Sequence, residues 1–163
     1  MNLSQKGINL LKSIETLSLT PYDDAKPKAG VITDWCEGAT IGYGHLISKS
    51  EWPKYSKAIT EDQADSLFMS DAQPMVDAVL KYVKNPLKVN ELDALVILCF
   101  NIGISAFSKS SVVKMLNGEQ GNYATLEEAW KAFNKDRGQI NKGLVNRRQA
   151  EWNIWTKGVY EHW

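Results

Sequence analysis

The chain has 163 residues, 44% of them apolar and 23% charged. One domain of that length withdraws roughly 70% of its unfolded surface from water, so it needs neither disulfide staples nor a structural metal. The composition excludes a disordered tail, a collagen-like fibre and a disulfide-rich mini-scaffold. Nineteen basic side chains balance nineteen acidic ones, which argues against a protein that coats nucleic acid. The balance is uneven: residues 61–130 hold five basic and ten acidic side chains, and residues 131–163 hold seven and three. The basic end either meets an anionic polymer or is a solvated face. The opening residues Met1 to Gly7 lack the long apolar stretch of a cleavable secretory signal. The longest apolar run, Ala94 to Phe100, is far too short to span a membrane. Cys36 and Cys99 are too few to define a disulfide framework, and two free thiols are expected.

In chain order, Ser4 predicts the cap of a helix running to about Leu19, with Ile8, Leu11 and Glu15 on one face. Pro21 to Ala25 breaks that helix. Ala29 to Trp35 and Ala39 to Tyr43 are rich in β-branched and aromatic residues and read as a hairpin turning at Cys36-Glu37-Gly38. Thr60 and Gln63 form a capping box that opens a long helix reaching Val83, which Pro74 should kink or split. Leu92–Ile102 is the most apolar helix. Ser108 is expected to cap a short helix that stops near Asn117-Gly118. Thr125 and Glu128 form a second capping box, and a last helix runs from Gly143 to about Trp155. The pattern is α+β, with a small hairpin lobe (about residues 13–60), a larger all-helical lobe (about 75–163 plus the first helix), and a ligand cleft between them.

Few side chains suit chemistry. Glu15, a carboxyl on an apolar helix face, is expected to hold its proton more tightly than usual and serve as a general acid, or else to form a structural ion pair with an arginine. Asp23 and Asp24 follow in a wetter loop. They either supply the complementary carboxylate that glycosidic cleavage needs or form an Asx turn beside Pro21. Thr40 shares a strand face with Gly42 and Gly44, whose bare backbones let a bulky ligand approach. His45 reads as structural. The scattered histidines and cysteines lack metal-ligand spacing, so neither metal nor cofactor is expected. Gly42-Tyr43-Gly44 lacks the lysine and following helix of a phosphate loop.

Together, Glu15, Tyr22-Asp23-Asp24 and Thr40-Ile41-Gly42-Tyr43-Gly44-His45 resemble the phage-type lysozymes, the endolysin muramidases of glycoside hydrolase family 24. Ala94-Leu95-Val96, Phe100-Asn101-Ile102-Gly103 through Ala106-Phe107, and Gly143-Leu144-Val145-Asn146-Arg147-Arg148-Gln149-Ala150-Glu151 match as well, so the resemblance spans nearly the whole chain. It implies a lysozyme-like fold and hydrolysis of the β-1,4 bond between N-acetylmuramic acid and N-acetylglucosamine in peptidoglycan. Glu15 falls at the acid position, Asp24 at the carboxylate position and Thr40 at the water-holding threonine. Arg147 falls near the acid, and Asn101 where relatives line the cleft with an amide. Trp35 and Tyr43 are expected either to contact sugar faces or to pack in the core. Thr16 stands where many relatives have glycine, and the segment from about Lys26 to Glu37 is an insertion relative to compact members. A lytic transglycosylase acting on the same polymer, a non-catalytic wall-binding module and an effector delivered between bacteria are the rival readings. The expected setting is a monomer in the host cytoplasm that reaches the wall once the inner membrane is breached, without inserting in that membrane.

Overall fold

The computed structural model describes residues 1–163. It is an α+β protein of eight α-helices and two small antiparallel sheets, and it divides into two compact units. One unit is residues 12–73; the other is residues 1–11 with 74–163.

Helix α1 (Gln5–Ile14) is capped by Ser4, whose hydroxyl accepts the Gly7 N–H at 3.1 Å. The helix stops at Ile14, five residues short of the sequence expectation, and a bend at Glu15 leads into strand β1 (Ser18–Asp23). Strands β2 (Ala39–Gly42) and β3 (His45–Leu46) complete a sheet of order β1-β2-β3. Register places Tyr22 opposite Thr40 and Asp23 opposite Ala39, with an irregularity between Ser18 and Tyr22. The expected hairpin partner of β2, residues 29–35, is therefore replaced by β1. Of that segment only Val31 makes a bridge, to Tyr22, after a 3₁₀ turn at Pro27–Ala29. Pro21, expected to break the first helix, lies inside β1 well past the helix end; as an edge strand, β1 tolerates a missing ladder N–H. The core beneath this sheet is Ala39, Ile41, Ile47, Tyr55, Ile59 and Ala64, with Trp35, Tyr43 and Trp52 packed against it. Tyr55 belongs to the short helix α2 (Trp52–Tyr55).

Helix α3 (Glu61–Tyr82) starts at the expected box: Thr60 Oγ1 accepts the Gln63 N–H at 3.1 Å, and Gln63 Oε1 accepts the Thr60 N–H at 2.8 Å. It runs as one helix through Pro74, which leaves the Ser70 carbonyl without its i+4 donor but does not end the helix. In the helical unit, α4 (Val89–Ile102) is buried all round from Leu92 to Cys99, as befits a central helix, and packs on α8 (Lys142–Lys157). Around it lie α5 (Ile104–Ser108), α6 (Ser111–Leu116) and α7 (Leu126–Lys131). The cap of α6 is Ser110, which accepts the Val113 N–H, rather than Ser108, the last residue of α5. Thr125 caps α7 as expected, but Glu128 reaches back to the Ala124 N–H. Strands β4 (Lys135–Asp136) and β5 (Gln139–Ile140), a hairpin the sequence did not announce, turn through Arg137 and Gly138, both at positive φ.

Buried Asp93 of α4 holds both chain ends of this unit. It accepts the Ser4 N–H at 2.9 Å, the Ser4 hydroxyl, and the Tyr160 hydroxyl at 2.6 Å, and burial together with this carboxylate pushes the Tyr160 phenol up. Gly7 is the residue that lets Asp93 so near α1: a Cβ there would lie 2.8 Å from Asp93 Cγ. Cys36 and Cys99 are both free, and burial pushes the Cys99 thiol up to about 11. No helix is long and apolar enough to cross a membrane.

Candidate active site

In the unit of residues 12–73, the chain from Ile14 to Val31 forms a groove of about 570 Å³. Strand β1 presents alternate residues to it, Ser18, Thr20 and Tyr22, and Asp24 continues the same alternation just past the strand. Glu15 lines the groove from the bend that follows α1. It is half-buried and lies against Gly44, where a Cβ would come 3.2 Å from Glu15 Oε2. Gly44 also holds φ +82°, which glycine adopts without strain. Glu15 is thus not on the apolar face of a helix, as its i+7 spacing from Ile8 suggested. It stands at the mouth of a strand.

The two aspartates separate cleanly. Asp23 Oδ1 accepts the Ala25 N–H at 2.9 Å, so the Asx turn belongs to Asp23. Asp24 is exposed and faces the groove, its backbone N–H fixed on the Gly38 carbonyl at 2.9 Å. Tyr22 lines the same groove, and its phenol is pushed up by burial and then by the negative charges of Asp24 and Glu15. One hydroxyl feels both acids, so both acids share its surroundings. Tyr22 stays a neutral hydrogen-bond donor at neutral pH.

Thr40, opposite Tyr22 in register, is buried and is not among the residues that line the groove, and its hydroxyl donates to the Gly38 carbonyl at 2.9 Å. Trp35 and Tyr43 also lie outside the groove lining. The Trp35 indole donates to the Ile47 carbonyl at 2.9 Å, and Tyr43 packs edge-on to Phe68. His45 is clamped: Nδ1 lies 2.9 Å from Asp71 and Nε2 3.3 Å from Glu51. The Asp71 hydrogen bond leads in raising its pKa, against desolvation. The inserted segment supplies one wall of the groove through Pro27, Gly30 and Val31.

In the helical unit, Arg147 is buried. Its Nε donates to Glu151 at 3.1 Å, its Nη2 donates to the Ile97 carbonyl at 3.0 Å, and the guanidinium lies 4.9 Å from the Trp163 ring centre. Asn101 is exposed, and its Oδ1 accepts from Arg148 at 2.9 Å. Sequence reasoning missed the Ser18, Thr20 and Tyr22 stripe, whose period-2 spacing was its only signal. It also missed Glu151, whose i−4 and i−3 offsets to Arg147 and Arg148 were visible.

The phage lysozyme family profile matches residues 12–151. An endolysin of Bacillus phage PZA is 38% identical over 98% of this chain, which spans 57% of that relative's length. Among solved structures, the endolysin from Escherichia coli O157:H7 phage FAHEc1 aligns with a TM-score of 0.77 at 34% identity, over 99% of this chain and 97% of that one. The muramidase domain of SpmX from Asticaccaulis excentricus aligns at 0.73 and 31% identity, over 96% and 98%. This chain therefore belongs to the phage lysozyme family.

Proposed function

We propose that this protein is a muramidase that hydrolyses the β-1,4 bond from N-acetylmuramic acid to N-acetylglucosamine in bacterial peptidoglycan, acting in phage lysis. The observation that carries the reading is the pair of carboxyl groups on one groove, Glu15 and Asp24, with the Tyr22 phenol perturbed by both. Glycosidic cleavage needs two carboxyls in unlike surroundings, one delivering a proton to the bridging oxygen and the other remaining ionised. Glu15, half-buried, is the acid. Asp24, exposed, is the carboxylate that steadies the cation-like transition state and orients the attacking water. The Thr40 proton is already committed to the Gly38 carbonyl, so its oxygen accepts from a water and does not donate to one. A water that donates a proton to Asp24 keeps a lone pair for the anomeric carbon. The hydroxyls of Ser18, Thr20 and Tyr22 line the same groove and suit a polyhydroxylated ligand. The names of two relatives, an endolysin and a muramidase domain, are in line with this reading.

The test is wall clearing by Glu15→Gln and Asp24→Asn beside wild type, with mass spectrometry of the released fragments. Loss of general-acid help alone is expected to cost Glu15→Gln roughly 10²–10⁴-fold. Reducing ends in the products support hydrolysis. A 1,6-anhydro end would instead assign the chemistry to a lytic transglycosylase, and clearing by Glu15→Gln at the wild-type rate would sink the assignment of the acid.

A further inference from the structure

The inserted segment is anchored at one end and bare at the other. Ile32, Trp35 and Cys36 pack against the small-sheet core, the Ile32 N–H donates to the Pro21 carbonyl at 3.0 Å, and Val31 bridges to Tyr22. Residues 24–31, by contrast, are all exposed. Pro27 opens the 3₁₀ turn Pro27–Ala29, which buries no side chain, and Gly30 follows at φ +84°, ψ −156°. That combination is essentially confined to glycine. A Cβ on Gly30 would meet nothing within 4 Å, so the glycine serves the path of the backbone and not close packing. The turn delivers Pro27 and Val31 to the groove that Glu15 and Asp24 line. Val31 is 60% exposed, whereas Ile14 and Leu17, the other large apolar residues of the lining, are half-buried. The hydroxyls of Ser18, Thr20 and Tyr22 line the same groove. It therefore combines a polar stripe with a bare apolar lip, and such a lip gains free energy only when a ligand covers it.

We propose that Pro27 and Val31 form a specificity-determining lip that reads the methyl of an acylamino group on the bound sugar, so that the groove prefers N-acetylated glycan to glycan with a smaller acyl group. An acetamido sugar has the matching chemistry: ring hydroxyls for the stripe on β1, and one methyl that is costly to leave in water. Val31 supplies the contact, and Gly30 is the positioning residue whose backbone presents it. That the glycan is peptidoglycan rests on the muramidase reading; the apolar lip does not. Covering one methyl with Val31 is expected to raise affinity about fourfold.

The experiment uses bacterial cell walls stripped of their N-acetyl groups and re-acylated with either acetyl or formyl, which lacks the methyl. Co-sedimentation with each wall gives the affinities, in a Glu15→Gln background that keeps the walls intact. This parent is expected to prefer the acetyl wall about fourfold. Val31→Thr keeps the β-branched shape and exchanges one methyl for a hydroxyl at an exposed position. It is expected to melt with its parent and to narrow the preference to less than about twofold, while Val31→Ile retains it. Gly30→Ala, which adds a Cβ in open space but cannot hold the turn, is expected to narrow it as well. An unchanged preference in Val31→Thr overturns this inference, as does equal affinity of the parent for both walls. A loss in Val31→Thr that is the same on both walls also overturns it, because the residue would then shape the turn without reading the acyl group. The chain with Glu15 restored is assayed for wall clearing alongside. Clearing without a methyl-dependent preference sinks the lip alone, and a methyl-dependent preference without clearing sinks the muramidase reading alone.

Discussion

Glu151 has no exposed surface, and its carboxylate serves three donors: Arg147 Nε at 3.1 Å and Arg148 Nη2 at 2.8 Å on Oε2, and the Trp130 indole at 3.0 Å on Oε1. Two buried guanidinium groups thus donate to the same carboxylate oxygen. Glu151→Gln preserves the volume, removes that charge and turns an NH₂ toward donors, so at least one of the three loses its acceptor. Breaking a buried ion pair from one side costs about 3–5 kcal/mol, mostly from the charge left uncompensated. In a chain of this length each kcal/mol lowers the melting temperature by about 2–4 °C, so the expected fall is about 6–20 °C. Thermal unfolding followed by circular dichroism, with urea titration for the free energy, reads both quantities. A loss under about 1 kcal/mol would mean that water or another group already compensates the donors, and the reading of Glu151 as their essential acceptor would be wrong.

Gly7→Ala should lower stability by about 1–3 kcal/mol, because the new Cβ meets an Asp93 carboxylate that Ser4 and Tyr160 hold in place; a higher melting temperature, the usual result of adding alanine to a helix, would refute it. Gly44→Ala and Gly44→Asn each set a Cβ 3.2 Å from Glu15 Oε2, while asparagine better tolerates the positive φ. Both should lose wall-clearing activity, with the alanine variant the less stable by about 1 kcal/mol, and an active Gly44→Asn would count against the contact. His45 has a pKa above its unfolded value, so its clamp contributes fully below about pH 6.5 and fades as pH rises through the folded value. The melting difference between wild type and His45→Asn should therefore shrink as pH rises from 5.5 to 9, and a constant difference would remove protonation from the account.

Legibility followed the strength of local signals. Thr60 with Gln63 and the apolar run of α4 fix their elements with short-range chemistry, and both stand where they were read. The hairpin of β4 and β5 has two-residue strands without apolar alternation, and its turn uses Arg137 at φ 51°, a residue that carries no turn signal of its own. Ser108 and Ser110 compete for the same helix start, and only the backbone decides between them. Resemblance alone favours Asp24 over Asp23 in the sequence; the physical reason, that Asp23 is spent on a turn, is visible only in the folded chain. The sequence does not separate sugar contact from core packing for Trp35 and Tyr43, because an aromatic near a glycine-rich strand satisfies both patterns. Here each packs against the small-sheet core.

The largest departure, the early end of α1, also makes the site work. A helix continued to Leu19 would spread Ser18, Thr20 and Tyr22 around its circumference, since positions two apart lie about 200° apart. Ending it at Ile14 changes the side-chain period from 3.6 to 2 within a few residues. The strand then lines three hydroxyls and Asp24 along one wall, and the bend between helix and strand sets Glu15 on the same groove. Pro21, a helix breaker by sequence, suits this arrangement, because an edge strand does not need the N–H that proline lacks and extended backbone suits its fixed φ. The i+7 spacing of Glu15 from Ile8 was accidental to its position. Its useful neighbour is Gly44 across the sheet, whose missing side chain leaves room for the carboxylate.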